Sequence, residues 1–398
     1  MNILVFNAGS STVKFRLIDA GSGQGIAGGV VENIGARRAR QATWWYEETE
    51  RRQSSETCDC PDHQAASRLI FAHLDALWQR GTIPEPRALA HRVVHGGERF
   101  SEPVLLDDAT IQQLTALDRL APLHNPPALA LIEVSRAHFP DRPQVAVFDT
   151  AFHNTLPPAA YRYAVPERWY DECGMRRYGF HGISHAYVAG RAAERLGRPL
   201  QDLKLITLHL GNGASVAAID GGCSVETSMG MTPLEGLVMG TRSGDVDVAG
   251  VLHVGHRLGL DTPALEHELT CESGLKALCN ATDMREIVAR VKERDARATL
   301  AFDVYIHRLR KYIGAFTAVL GGLDALVFTA GVGEHQPLVR ERACAGLEQL
   351  GIALEHSAND AAIGYDASIH TAAARVATLV ICTDEEQAMA RQILPLLS

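Results

Sequence analysis

Several charged and polar side chains stand where short apolar runs give way to small-residue turns. Such a position lets a functional group leave a buried sheet and meet a ligand at the carboxyl ends of the strands. The first run, Ile3 to Phe6, opens into Asn7-Ala8-Gly9-Ser10-Ser11-Thr12, and Lys14 follows. A tight turn of small and hydroxyl residues lets backbone N–H groups approach an anion, and Lys14 adds positive charge, so the natural guest is a phosphate. Arg92 lies in Ala88-Leu89-Ala90-His91-Arg92-Val93-Val94-His95-Gly96-Gly97, a strand running into a glycine turn. It is either an anion ligand or half of a structural ion pair. Asp149 follows the apolar strand Gln144 to Phe148 and suits a base, a metal-linked carboxylate or a turn cap. His124, before Asn125-Pro126-Pro127, either faces a ligand or packs at a helix entry. His181, between Phe180 and Gly182, reads as a hydrogen-bonded core residue or as a catalyst that the glycines leave accessible. Arg242 lies in Gly240-Thr241-Arg242-Ser243-Gly244-Asp245, a loop too flexible for a core.

Strands and helices must position these groups. Residues 1–20 read as a hairpin, Gly21 to Gly29 as a glycine-rich connection, and Val30 to Trp45 as a continuation of the sheet with Arg37, Arg38 and Arg40 obscuring its register. Ala66, Ile70, Leu74 and Leu77 recur at helical spacing, and further helices are predicted over Ala128 to His138, Ser184 to Leu196, Arg285 to Arg294 and Thr299 to Leu320. The second half echoes the first: strand Leu203 to Leu210, turn Gly211-Asn212-Gly213-Ala214-Ser215, return strand Val216 to Asp220. A hairpin duplicated roughly 200 residues later implies two similar domains, each offering a phosphate turn to a shared cleft. Ala325 to Glu334 reads as a buried strand ending in a glycine turn suited to a nucleotide. It lacks the third glycine of the dinucleotide fingerprint, and no Walker-type loop occurs anywhere. Near the C-terminus, Thr383 or Asp384 caps an amphipathic helix whose acidic first turn, Glu385 and Glu386, suits its dipole.

Composition bounds the function. The chain has 398 residues, enough for two domains, with 46% hydrophobic and 21% charged residues. A formal net charge of -9 without a Lys/Arg stripe argues against nucleic-acid binding. No apolar run is long enough to span a membrane and no leader pattern precedes the first strand, so a cytoplasmic protein is expected. The eight cysteines read as reduced thiols. Cys58-Asp59-Cys60, with His63 and His73 nearby, lacks the usual metal-knuckle spacing and reads as an exposed loop.

Together the motifs resemble the acetate kinase family. They are Asn7-Ala8-Gly9-Ser10-Ser11 with Lys14, His91 to Gly97, Phe148 to His153, Tyr178-Gly179-Phe180-His181-Gly182, His209 to Gly213, Gly240 to Asp245, and Thr383-Asp384-Glu385-Glu386. The resemblance covers nearly the whole chain. It implies an α/β fold of duplicated actin-like, ribonuclease H-like ATPase domains, with mixed sheets flanked by helices and a cleft between the domains. The expected boundaries are 1–150 with 385–398 for the N-terminal, acyl-binding domain, and 151–384 for the C-terminal, nucleotide-binding domain.

The resemblance further implies Mg²⁺-dependent phosphoryl transfer between ATP and acetate, giving ADP and acetyl phosphate, in a homodimer. Mn²⁺ is an alternative ion. By family analogy, Arg92 and Arg242 supply positive charge, His181 bonds the transferring phosphoryl group, His124 adds a donor, and Asp149 orients the acceptor or assists the metal. Asn7 and Glu385 hold the metal, and Lys14 reaches the nucleotide phosphates. Nucleotide contacts fall on His209, Leu210, Gly211, Asn212, Gly213, Asp283, Met284, Arg285, Gly331, Val332, Gly333, Glu334 and His335. The last stands where family members commonly carry Asn. The acyl methyl group would rest on Val94, Leu123, Phe180 and Pro233. The alternatives are a propionate or other short-chain acyl kinase on this scaffold, or an actin-like ATPase without an acyl acceptor.

Overall fold

Ile3 to Phe6 have no solvent exposure, and their apolar run forms strand β1 (Asn2–Ala8) at the centre of a sheet. The computed structural model describes residues 1–9, 11–118 and 125–397. Ser10, Leu123 and His124 fall outside the described residues. The chain divides into two units, Met1–Ala151 with Asp384–Ser398, and Phe152–Thr383.

In the first unit, β2 (Thr12–Asp19), β3 (Gly25–Glu32), β4 (Ala39–Glu47) and β5 (Glu50–Cys58) continue outward from β1 as an antiparallel meander. On its other side β1 pairs in parallel with β6 (Ala88–Val93), and β6 with β8 (Gln144–Phe148); β7 (Val104–Leu105) closes the edge. The order is β5-β4-β3-β2-β1-β6-β8-β7. Ile70 and Leu74 of helix His63–Gln79 share a core with Leu4, Phe6, Phe15 and Leu131. Helix Glu385–Ile393 packs against β1, β6 and β8.

The second unit repeats this plan. Strands β9 (Lys204–Leu210), β10 (Ala214–Asp220) and β11 (Cys223–Thr227) form the meander. Strands β12 (Ala325–Thr329) and β14 (Ala377–Val380) add in parallel, and β13 (Ala367–Ser368) closes the edge. Its order, β11-β10-β9-β12-β14-β13, matches β3-β2-β1-β6-β8-β7 of the first sheet position for position. Val188 and Ala192 of helix Gly182–Leu196 cover one face with Leu205, Ala217 and Val327. Helix Ala296–Leu320 packs against β9 and β10. These are the expected actin-like units, mixed sheets flanked by helices. No described helix is long and apolar enough to cross a membrane.

Three local expectations change. Gly25 to Gly29 belong to β3 rather than to a connection. A Cβ on Gly29 would lie 2.4 Å from Ala42 O, so glycine permits close strand approach there. The segment after β12 is not a glycine turn but a short helix, Ala330–His335. Cys58 ends a strand, Cys60 is buried, and His63 Nε2 lies 2.7 Å from Gly9 O, so the stretch read as an exposed loop braces the turn after β1. Among the described residues no metal-binding group of His, Cys, Asp and Glu occurs.

Candidate active site

Strand register assembles the polar cluster of the first unit. Asn7 pairs with Arg92 on one side and with Lys14 on the other, so all three side chains project from the same face of neighbouring strands. Arg92 donates from Nη1 to Asn7 Oδ1 at 3.0 Å and from Nη2 to Asp149 Oδ2 at 2.5 Å. Asp149 follows β8, its N–H donates to Val93 O, and it is 1% exposed. Burial alone would lower the Arg92 pKa, but Asp149, then Glu385 and Glu386, hold it above the usual guanidinium range. Asp384 caps the last helix by accepting from Gln387 N at 2.9 Å and also pairs with Arg16. Glu385 is thus relieved of capping and stands in the field of Arg92 and Asp149. Burial, reinforced by Asp149 and Glu386 and opposed by Arg92 and Lys14, pushes its carboxyl up to about 7.

The second unit gathers a different set around the β9–β10 turn. His181 begins helix Gly182–Leu196 in the left-handed region, φ 58° and ψ 23°, a conformation that non-glycine residues adopt only when surrounding contacts enforce it. Its ring stacks on His209, with centroids 4.2 Å apart, and its Nδ1 lies 2.8 Å from Ser215 Oγ. Arg242 donates from Nη1 to Pro233 O at 2.6 Å. Its loop is not flexible: Met239 N donates to Arg242 O, and Ser273 N donates to Thr241 O. A Cβ on Gly213 would lie 2.6 Å from Arg242 Nη2 and 3.5 Å from His181 Nε2, so the guanidinium and the imidazole converge over that glycine. Burial draws the Arg242 pKa down, and among the described residues no carboxylate pairs with it. A cation held this way by neutral groups is built to receive an anion.

Beside this cluster runs a cleft of about 490 Å³ lined by Gly211, Asn212, Thr282, Asp283, Met284, Arg285, Gly331, Val332, His335 and Gln336. Gly211 and Asn212 come from the β9–β10 turn, Asp283 caps helix Met284–Lys292, and the glycines open helix Ala330–His335. Arg285 is paired with Asp283 at 2.6 Å, which holds the latter's pKa down.

The acetokinase family model matches residues 2–391. The chain belongs to the acetokinase family. The acetate kinase of Streptomyces coelicolor is 50% identical over 398 residues, covering 100% of this chain and 97% of that one. That of Syntrophobacter fumaroxidans is 46% identical, covering 98% and 96%. The crystal structure of Porphyromonas gingivalis acetate kinase superposes with a TM-score of 0.93 at 39% identity over 100% of both chains. A propionate kinase from Francisella tularensis gives 0.90 at 36% identity over 98% of both.

Some residues that the acetokinase resemblance assigned to the nucleotide also serve the fold. Leu210 is a core residue of β9. Gly333 accepts from the buried Arg340. The Glu334 carboxylate accepts from Ala330 N at 2.8 Å and Thr383 N at 3.0 Å, tying the ends of two strands together. Of the acyl-pocket residues, Val94 is buried just beyond β6 in the first unit, whereas Phe180 and Pro233 belong to the second. Sequence reasoning missed Thr282 and Gln336 in the cleft, each adjacent to a residue it named. It also missed Ser215 and His185 behind His181; the i, i+4 spacing of the two histidines on one helix was the available signal. His91, His95 and His153 are buried and bonded to Gln144, to Gly97 N and to Ser224. Burial lowers His91 to about 4, so it stays neutral.

Magnesium fits the donors of the first unit. Asn7 Oδ1 and the Glu385 and Asp149 carboxylates are all hard oxygen ligands of the kind Mg²⁺ takes. Mg²⁺ usually keeps several waters and takes one or two carboxylates plus substrate phosphates, so a closed protein cage is not required.

Proposed function

We propose that the protein is an acetate kinase, moving the γ-phosphoryl group of ATP directly onto acetate, and back, with acetyl phosphate and ADP as products. The observation that carries this reading is Arg242, a part-buried guanidinium with no carboxylate partner among the described residues, converging with His181 over Gly213. Acetate and the γ-phosphate repel one another, and phosphoryl transfer asks a protein mainly for positioning and charge neutralisation. In this reading Arg242 and His181 stabilise the three equatorial oxygens of the transferring group, and His124 adds a donor. Arg92 holds the acyl carboxylate. Acetate is already ionised at neutral pH, so Asp149 is not needed as a base; its ion pair orients Arg92. Lys14 reaches the nucleotide phosphates, and the cleft lined by Asn212, Asp283 and His335 takes the nucleoside. Asn7 and Glu385 would hold Mg²⁺, or Mn²⁺ in its place. Held there, the ion would supply charge neutralisation on the phosphates. The enzyme acts in the cytoplasm as a homodimer, without nucleic acid or membrane.

Propionate is the second substrate to weigh, because a propionate kinase shares 36% identity and the fold. An apolar pocket around a methyl group separates two acids that differ by one methylene by only ~1–3 kcal/mol. A hydroxamate assay with ATP and Mg²⁺, comparing acetate, propionate and butyrate, tests the assignment. Acetate is expected to lead in kcat/KM; propionate leading would rename the enzyme but keep its mechanism. ATP hydrolysis with no acyl phosphate from any acid would leave an ATPase.

A further inference from the structure

We propose that Ser215, His185 and Thr207 form a one-way hydrogen-bond chain that locks His181 in the tautomer carrying its proton on Nε2. The inference rests on the role given to His181 above. His181 Nδ1 is 2.8 Å from Ser215 Oγ, Ser215 Oγ is 2.8 Å from His185 Nε2, and His185 Nδ1 is 2.7 Å from Thr207 Oγ1. Ser215, His185 and Thr207 have no solvent exposure, so water does not compete for these bonds. His185 is also kept neutral, first by burial and then by the nearby His153 and His209, which leaves it one N–H.

Each member of the chain can give one proton, and any arrangement in which His181 Nδ1 donates leaves its Nε2 without a hydrogen. If Ser215 donates to His181 Nδ1, it must accept from His185 Nε2–H, and His185 Nδ1 then accepts from the Thr207 hydroxyl. His181 is left with its proton on Nε2, the nitrogen 3.5 Å from where a Gly213 Cβ would stand, on the Arg242 side. The reverse direction would point an imidazole lone pair at phosphoryl oxygens, which repel it. Turning the ring by 180° would present carbon Cδ2 to Ser215 and forfeit that bond. Ser215 and His185 are therefore positioning residues, acting on the phosphoryl group only through His181.

Nitrogen-15 NMR of histidine-labelled protein tests this without relying on turnover. At neutral pH His181 is expected to show a protonated Nε2 and an unprotonated Nδ1. Ser215→Ala should mix the tautomers and lower kcat about ten- to a hundredfold, as loss of a partner behind a working group does, with KM for ATP and acetate changed less than about twofold. His185→Gln keeps a donor toward Ser215 and should stay close to wild type, whereas His185→Leu should behave like Ser215→Ala. Comparing these two changes, one that keeps a donor and one that removes it, separates the chain from a general packing defect. A wild-type His181 protonated on Nδ1 alone, or on both nitrogens, overturns the proposal. So does a Ser215→Ala enzyme that keeps both tautomer and kcat. Undiminished turnover in His181→Ala would instead strike the catalytic role of His181, and leave the measured tautomer standing.

Discussion

At the scale of single residues, the site is organised by how each charge is compensated. Arg92 is clamped between Asn7 and Asp149, whereas Arg242 is held by the Pro233 carbonyl alone among its described side-chain bonds. An unpaired guanidinium in a low-dielectric setting interacts strongly with a charge that develops in the transition state. Arg242→Ala should therefore lower kcat by about 10²–10³-fold while ADP affinity, measured by calorimetry, changes little. A parallel loss of ADP affinity would place Arg242 on the ground-state nucleotide. Arg242→Lys should recover little, because an ammonium lacks the planar fork. Glu385 makes the opposite case. Its carboxyl is raised from an ordinary 4.5 to about 7, so the folded, metal-free protein holds a proton there that the unfolded chain releases. That contribution is complete below 4.5 and is lost as pH rises through 7. Glu385→Gln, neutral throughout, should melt above wild type at about pH 8 without Mg²⁺, and the gap should close near pH 5. Its activity should need more Mg²⁺. An unchanged metal titration would leave Glu385 as a helix-terminus charge only.

At the scale of elements, the polar cluster of each unit grows from one device, a strand–turn–strand whose small residues let side chains from neighbouring strands meet. Gly213 shows the tolerance of this device. Alanine there would place a methyl 2.6 Å from Arg242 Nη2, the far end of a flexible side chain. Gly213→Ala should therefore fold normally, with a melting temperature close to wild type, and lose about 10²-fold in kcat through a displaced guanidinium. A collapse of stability instead would mean that the turn itself needs glycine. The duplicated turns were legible in the sequence because Asn7 to Thr12 and Gly211 to Ser215 punctuate runs of buried residues. The place of Asp149 was legible because the buried run of β8 stops just before it. The outer meander was not: β5 reads Glu-Arg-Arg-Gln-Ser-Ser-Glu-Thr-Cys, nearly all exposed, and pairing with β4 rather than apolar alternation makes it a strand. The backbone bonds of Glu334 were hidden for a related reason: its donors, Ala330 N and Thr383 N, are brought to it only by the fold. The hydrogen-bond chain behind His181 joins residues 34 positions apart and left only the His181–His185 spacing as a trace.

At the scale of the whole molecule, the helix Val248–Leu258 stands out because only Gly255 of its residues is buried. Val248 is 69% exposed, Leu252 64% and Leu258 64%, an apolar surface that a protein free of partners rarely leaves in water. A second copy of this chain would cover it by an isologous contact, the same face on both subunits. We expect the proposed homodimer to form on this face. Leu252→Glu would put a carboxylate in the middle of that apolar face. Sedimentation velocity should then show the wild-type dimer reduced to a monomer of unchanged melting behaviour. A dimer that survives this substitution must use another surface, and a wild-type protein that sediments as a monomer would remove the homodimer altogether.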